Sequence, residues 1–121
     1  MDIKLALTEY GLSENEIQVY LALIKLGESP AQNIANNAGI PRTTTYHLLE
    51  SLIQKGLVSF VIKEAIKHFQ VAEPKKLISR LEEKKKIIKE IIPELSSMSK
   101  TIKGKPKVTV FEGLKGIRAV L

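Results

Sequence analysis

The chain has 121 residues, and 19 lysines and arginines against 13 aspartates and glutamates give it a formal net charge of +6. A chain of this length fits one small domain plus an appendage and is too short for most two-domain enzymes. The absence of cysteine excludes disulfides, thiol catalysis and zinc-finger or iron–sulfur ligation. A hydrophobic fraction of 44% is ordinary for a folded chain and argues against wholesale disorder. His47 and His68 are the only imidazoles, and no carboxylate cluster accompanies them. No metal, no cofactor and no catalytic residue is therefore expected, and an enzyme is the least supported class. No apolar run approaches the ~20 residues of a membrane span. The start MDIKLALTEYG lacks the basic, cleavable form of a signal peptide. A cytoplasmic, nucleoid-associated protein is expected, and the basic balance makes nucleic acid the first partner to consider.

The charge is unevenly placed. Residues 1–73 carry six bases against eight acids, and residues 74–121 carry 13 bases against five acids. The global excess thus belongs to the C-terminal half.

Ile3 to Tyr10 reads as a short helix that ends at Gly11, a common C-cap. Ser13 opens a second helix as N-cap, and Glu16 completes a capping box. Ile17, Tyr20, Leu21, Leu23, Ile24 and Leu26 form its apolar stripe, and Gly27 stops it. Ser29-Pro30 reads as another start, an N-cap hydroxyl followed by proline at the first helical position. That brief helix turns Ile34, Ala35 and Ala38 inward and ends at Gly39. Pro41 begins a longer helix over residues 41–56 that buries Leu49, Leu52 and Ile53. From Leu57 the period changes to two, so LVSFVIK and IKHFQVA read as a β-hairpin. Glu64-Ala65 is unfavoured in a tight two-residue turn, so a longer loop is expected. Pro74 starts a long helix whose Leu77, Leu81, Lys84, Ile88, Ile91, Leu95, Met98 and Ile102 are spaced 4, 3, 4, 3, 4, 3, 4. This is a heptad seam with one polar insert, Lys84, and it predicts a coiled coil with a second copy, parallel or antiparallel. Pro93 should kink or break it near residues 89–92. Lys84, Lys85 and Lys86 read as a solvated face paired with Glu82, Glu83 and Glu90. Lys107 to Phe111 reads as a strand, Gly113 as a turn, and a helical start follows.

Two helices joined by a few residues including glycine form a helix-turn-helix, and a hairpin directly after makes it winged. The fold expected is mainly α with a small β-hairpin, followed by a long dimerisation helix. The domains expected are a DNA-binding unit over 1–73, a dimerising helix over 74–102, and a linker with the start of a further domain over 103–121. The start of the longer helix, Arg42-Thr43-Thr44-Thr45-Tyr46-His47, suits a major groove. Arginine can fork to guanine, hydroxyls and imidazole can bond base edges or phosphates, and threonine methyls can touch thymine. The candidate DNA contacts are Ser29, Gln32, Arg42, Thr43, Thr44, Tyr46, His47, Ser51, Lys63 and Lys67. Thr45 falls in line with Leu49 and Leu52 and is expected inside. The candidate dimer contacts are Leu77, Leu81, Lys84, Ile88, Ile91, Leu95 and Met98. Over residues 41–70 four bases (Arg42, Lys55, Lys63, Lys67) oppose Glu50 and Glu64, and the five acids before residue 41 lie mostly on helices that are expected to face away.

AQNIANNAGIPRTTTYHLLESLIQKGLV resembles the helix-turn-helix of the TrmB family of archaeal transcriptional regulators. LTEYGLSENEIQVYLALIKLG resembles that family's opening, and HFQVAEPKKLISRLEE its second wing strand and dimerising helix. VTVFEGLKGIRAVL resembles the first strand and helix of a larger C-terminal effector domain. The resemblance implies a double-stranded-DNA-binding regulator that acts as a homodimer. It departs at the wing, where Lys63-Glu64-Ala65-Ile66-Lys67 stands in place of glycine and arginine, which argues against insertion into the minor groove. The chain stops within the would-be effector domain, as a truncated or a short member would, so no effector is expected to bind it as it stands. Two other roles fit the residues: an architectural protein that coats DNA with little sequence preference, and a winged-helix assembly module.

Overall fold

The structure is a computed structural model that describes residues 1–103, with side chains described to residue 100. The sequence-based strand at 107–111, the turn at Gly113 and the side chain of Ile102 lie outside the described residues. The elements are α1 (Ile3–Tyr10), α2 (Glu14–Leu26), β1 (Ser29–Pro30), α3 (Ala31–Ala38), α4 (Arg42–Gln54), β2 (Val58–Lys63), β3 (Ile66–Val71) and α5 (Lys76–Lys103). Residues 1–81 make one compact unit, and a second begins at Glu82.

Local chemistry sets most helix boundaries. Asp2 caps α1 by accepting the N–H groups of Lys4 and Leu5. The Ser13–Glu16 capping box opens α2, with both reciprocal bonds formed. α3 ends at Gly39, whose φ of 71° and ψ of 33° lie in the left-handed region that a side chain disfavours. That turn lets α4 start only three residues after α3 stops. Ile34, Leu49, Leu52 and Leu23 are fully buried where α2, α3 and α4 meet, and Leu57, Val58 and Phe69 close the core from the sheet.

The sheet has the order β1-β3-β2 and is antiparallel throughout. A third strand thus joins the expected hairpin, and its residues are Ser29 and Pro30. This corrects the expected helix start there. Ser29 is in the sheet opposite Phe69, its side chain is buried, and its hydroxyl donates to the Gly27 carbonyl at 2.9 Å. Pro30 is the residue before α3, and no side chain caps that helix. The expected N-cap hydroxyl is spent on the turn that leaves α2.

The hairpin also departs from expectation. Lys63 pairs directly with Ile66, so the turn is only Glu64 and Ala65, with φ of 51° and 67°. Two successive left-handed residues define the tight turn whose twist matches a right-handed β-ribbon. The register of β2 on β3, with Phe60 opposite Phe69, overrides the poor local fit of Glu-Ala. Replacing Glu64-Ala65 with Asn-Gly should therefore stabilise the fold by about 1–2 kcal/mol, because left-handed backbone costs ordinary residues about that much. Thermal unfolding would check this, and an unchanged midpoint would mean the turn is unstrained.

α5 starts at Lys76, not at Pro74. Pro74 and Lys75 form a tight turn in which Leu77 N–H donates to the Pro74 carbonyl and Lys76 N–H to the Glu73 carbonyl. Within the first unit the Tyr10 hydroxyl donates to the Leu77 carbonyl at 3.0 Å, which fastens the first turn of α5 to α1. The helix continues through Pro93, so the expected break is absent. Proline removes one backbone donor, and full turns of helix on both sides hold the rest of the ladder. Lys84, Lys85 and Lys86 are exposed. The two lysine–carboxylate ion pairs among the described residues, Lys55–Glu16 and Lys63–Glu28, both lie in the first unit, so the expected pairing with Glu82, Glu83 and Glu90 is not formed.

Candidate nucleic-acid interface

The interface is built on α4, whose two halves have different jobs. Its C-terminal half is fastened to α2. The Glu16 carboxylate, with its side chain only 7% exposed, accepts from Lys55 Nζ at 2.8 and 3.0 Å and from the Ser51 hydroxyl. It also accepts the Ser13 N–H at 2.8 Å, so the capping box and the interhelical lock share one carboxylate. Burial alone would raise the pKa of Glu16. The hydrogen bonds from Lys55, Ser51 and Ser13, with the Lys55 charge, outweigh it and hold the carboxyl at about 2. Ser51 on α4 and Lys55 at its C-cap lie one helical turn apart, so a single acid grips the end of the helix at two points.

The N-terminal half is open. No side chain caps α4, so the N–H groups of its first turn remain available to water or an anion. Arg42, Thr43 and His47 are exposed, and Thr44 is half-buried. Thr45 is fully buried and its hydroxyl donates to the Pro41 carbonyl at 3.0 Å, as its place in line with Leu49 and Leu52 implied. Tyr46 is half-buried, packs edge-on to Phe69 with ring centroids 6.2 Å apart, and carries the Arg42 guanidinium 5.7 Å from its own ring centroid. Gln32 on α3 is exposed, and its amide donates to Asn36 at 2.9 Å.

The structure thus gathers Arg42, Thr43, Thr44, Tyr46 and His47 on the start of one helix. It does not bring every candidate to that surface. The Ser29 hydroxyl is turned into the fold, and the Ser51 hydroxyl is committed to Glu16. Two of the four bases counted between residues 41 and 70 are already paired: Lys55 with Glu16 and Lys63 with Glu28 at 2.5 Å. Glu28 lies in the loop after α2 and not on one of the helices expected to face away. It sits against the wing, with its carboxylate 3.9 Å from His68 Nδ1 as well. Sequence spacing had no signal for either pair, because each joins residues at least 35 positions apart. The remaining unpaired bases of the stretch are Arg42 and Lys67, and Lys67 Nζ lies 4.4 Å over the Phe60 ring.

On the second unit, Ile87, Ile88, Ile91, Ile92, Leu95 and Met98 of α5 are exposed. Of the seam residues nearer its start, Leu77 is half-buried against the core of the first unit and Leu81 is exposed. Among the described residues, no helix is long and apolar enough to cross a membrane.

Comparison with known proteins places this arrangement. The family model described as sugar-specific transcriptional regulator TrmB matches residues 7–93. The chain is 44% identical over 55 residues to the HTH-type sugar sensing transcriptional regulator TrmBL1 of Pyrococcus furiosus, covering 46% of this chain and 16% of that protein. It is 33% identical over 66 residues to the phenylalanine–tRNA ligase alpha subunit of Metallosphaera sedula, covering 54% of this chain and 14% of that one. The chain therefore spans only a small part of these curated relatives. Among solved structures it resembles TrmBL2, an archaeal chromatin protein, with a TM-score of 0.60 at 23% identity, over 77% of this chain and 35% of that one. A MarR family protein from Bacillus stearothermophilus aligns with a TM-score of 0.52 at 16% identity, over 81% of this chain and 75% of that one. These two likenesses establish the winged-helix fold, and the family match covers helix-turn-helix, wing and most of α5. The chain belongs to the TrmB family of winged-helix transcriptional regulators.

Proposed function

We propose that the chain is a sequence-specific, double-stranded-DNA-binding transcriptional regulator that acts as a homodimer, with the N-terminal turns of α4 in the major groove. The observation that carries this is the division of α4. Glu16 fixes its C-terminal half, while Arg42, Thr43 and His47 stand exposed on a half that contains no acid. A helix held rigidly at one end and open at the other can enter a groove with its side chains preset, which limits the ordering cost of binding. Residues 1–73 serve as the DNA-binding unit and residues 74–102 as the dimerising helix. The exposed apolar residues of α5 support the pairing, since so many large aliphatic side chains on one helix mark an interaction face. Two-fold pairing would set two α4 helices in successive major grooves, about 34 Å apart.

Replacing Arg42 with alanine should lower preference for a specific site by about 10- to 100-fold over bulk DNA, the worth of one good arginine–guanine fork. Lys63→Ala should disturb that preference less. Competition binding against mixed-sequence DNA reads both, and the reverse order would make the wing the element that reads sequence.

Architectural coating of DNA is the second reading. It is favoured by the chromatin role of TrmBL2 and by the lysine-rich C-terminal half. It requires equal affinity for all duplexes, whereas site-specific binding requires a preferred site to outcompete bulk DNA by at least ~10³.

A further inference from the structure

The two lysines of the wing occupy opposite faces of the hairpin. Pairing of Phe60 with Phe69 and of Ile62 with Lys67 puts these four side chains on one face. Pairing of Val61 with His68 and of Lys63 with Ile66 puts those on the other. The first face meets α4 through Phe69, which packs on Tyr46. There the Tyr46, Phe69 and Phe60 rings follow one another at centroid distances of 6.2 and 6.0 Å. Arg42 sits over the Tyr46 end of this row and Lys67 over the Phe60 end. Three rings, the middle one buried, thus form a strut with an exposed cation at each end. Stacking leaves the ammonium hydrogens of Lys67 that point away from the ring free for another acceptor. Among the described residues Lys67 makes no ion pair.

The second face is electrically closed. Glu28, in the loop after α2, holds Lys63 and lies near His68. Lys63 spends one donor and most of its field on Glu28, and a phosphate brought to its remaining donors would stand beside that carboxylate and be repelled by it.

Resting on the DNA-binding function proposed above, we infer that Lys67 alone is the phosphate-contacting cation of the wing, and that Glu28 keeps Lys63 off the DNA and so limits affinity. Glu28 is in this sense an affinity-setting residue, and Lys67 is placed by the same aromatic row that steadies Arg42.

Salt-dependent binding of the full chain to a mixed-sequence duplex tests this, because each phosphate contact adds about 0.9 to the slope of log affinity against log salt. Lys67→Ala should reduce the slope by about that amount, and Lys63→Ala should leave it unchanged. Glu28→Gln should raise the slope by about 0.9 and the affinity by about threefold to tenfold at low salt. Adding Lys63→Ala to Glu28→Gln should cancel the gain. Equal loss of slope in the two lysine variants would overturn the inference, as would a gain that survives in the double variant. A wild-type chain that binds no duplex at any salt overturns the DNA-binding function itself. A wild type that binds, with a slope indifferent to Lys67, overturns only the assignment of the wing.

Discussion

Replacing Ile91 and Leu95 together with lysine should break the proposed homodimer into monomers and weaken DNA binding by about a hundredfold or more. Ile88, Ile91, Leu95 and Met98 are spaced 3, 4 and 3, so they line one stripe of α5, and all four are exposed. Each large aliphatic side chain removed from water contributes about 1.5–3 kcal/mol, so four per helix in a pair of helices make a substantial interface. Two lysines in the stripe would remove that burial and oppose like charges across the pair. The affinity loss follows because a dimer binds its second half-site at a high effective concentration, a gain of about 10²–10⁴ that a monomer forgoes. Sedimentation gives the oligomeric state, and unfolding by circular dichroism shows whether residues 1–81 remain intact. A double variant that still sediments as a dimer would place the interface elsewhere.

Replacing Lys55 with methionine should destabilise the fold by about 2–3 kcal/mol, at or below the low end of the cost of orphaning a buried charge, because the Lys55 side chain is itself 24% exposed. The stem of lysine packs much as methionine does, so the loss reports mainly the carboxylate left on Glu16. The pH dependence identifies the source. The pKa of Glu16 falls from an ordinary 4.5 to about 2 on folding, so the folded state favours its charged form. Its contribution is fully present above about pH 4.5 and is lost as the pH falls through about 2. The shift corresponds to stability on the order of 3 kcal/mol, since each pKa unit is worth about 1.4 kcal/mol. Chemical denaturation of wild type and of Glu16→Gln between pH 7 and pH 2 should show the two curves converging toward acid. Parallel curves would mean that Glu16 is not held in its charged form by Lys55 and Ser51.

The parts of this fold that are readable from sequence are those decided by neighbours in the chain. Ser13 and Glu16 form their capping box within one turn, Gly39 supplies a left-handed residue where α3 must stop, and Thr45 follows the 3.6-residue period of Leu49 and Leu52 into the core. What escapes such reading is decided across elements. Glu16 completes a local cap and also reaches Ser51 and Lys55, and no periodicity reports the second role. The same holds for Glu28, which crosses from the end of α2 to the wing. These two pairings commit the Ser51 hydroxyl to Glu16 and neutralise half of the basic residues counted around α4. Ser29 shows a related limit: a serine before proline looks like a helix cap, yet pairing with β3 claims its backbone and the preceding turn claims its hydroxyl. The turn at Glu64-Ala65 is tighter than its two residues favour because strand register, with Phe60 opposite Phe69, outweighs their local preference. Arg42, Thr43 and His47 emerge exposed where the helical period put them, which is why the start of α4 was legible as a surface while the wing was not.

Selection of bound sequences from a pool of random duplexes, carried out with wild type and with Arg42→Ala, tests the central claim most directly. The wild type should enrich a near-palindromic site whose half-sites lie about one helical turn apart, and Arg42→Ala should lose the preferred base at one position of each half-site. A pool that remains random after repeated selection, with every duplex bound equally, would contradict sequence-specific regulation and leave a protein that coats DNA.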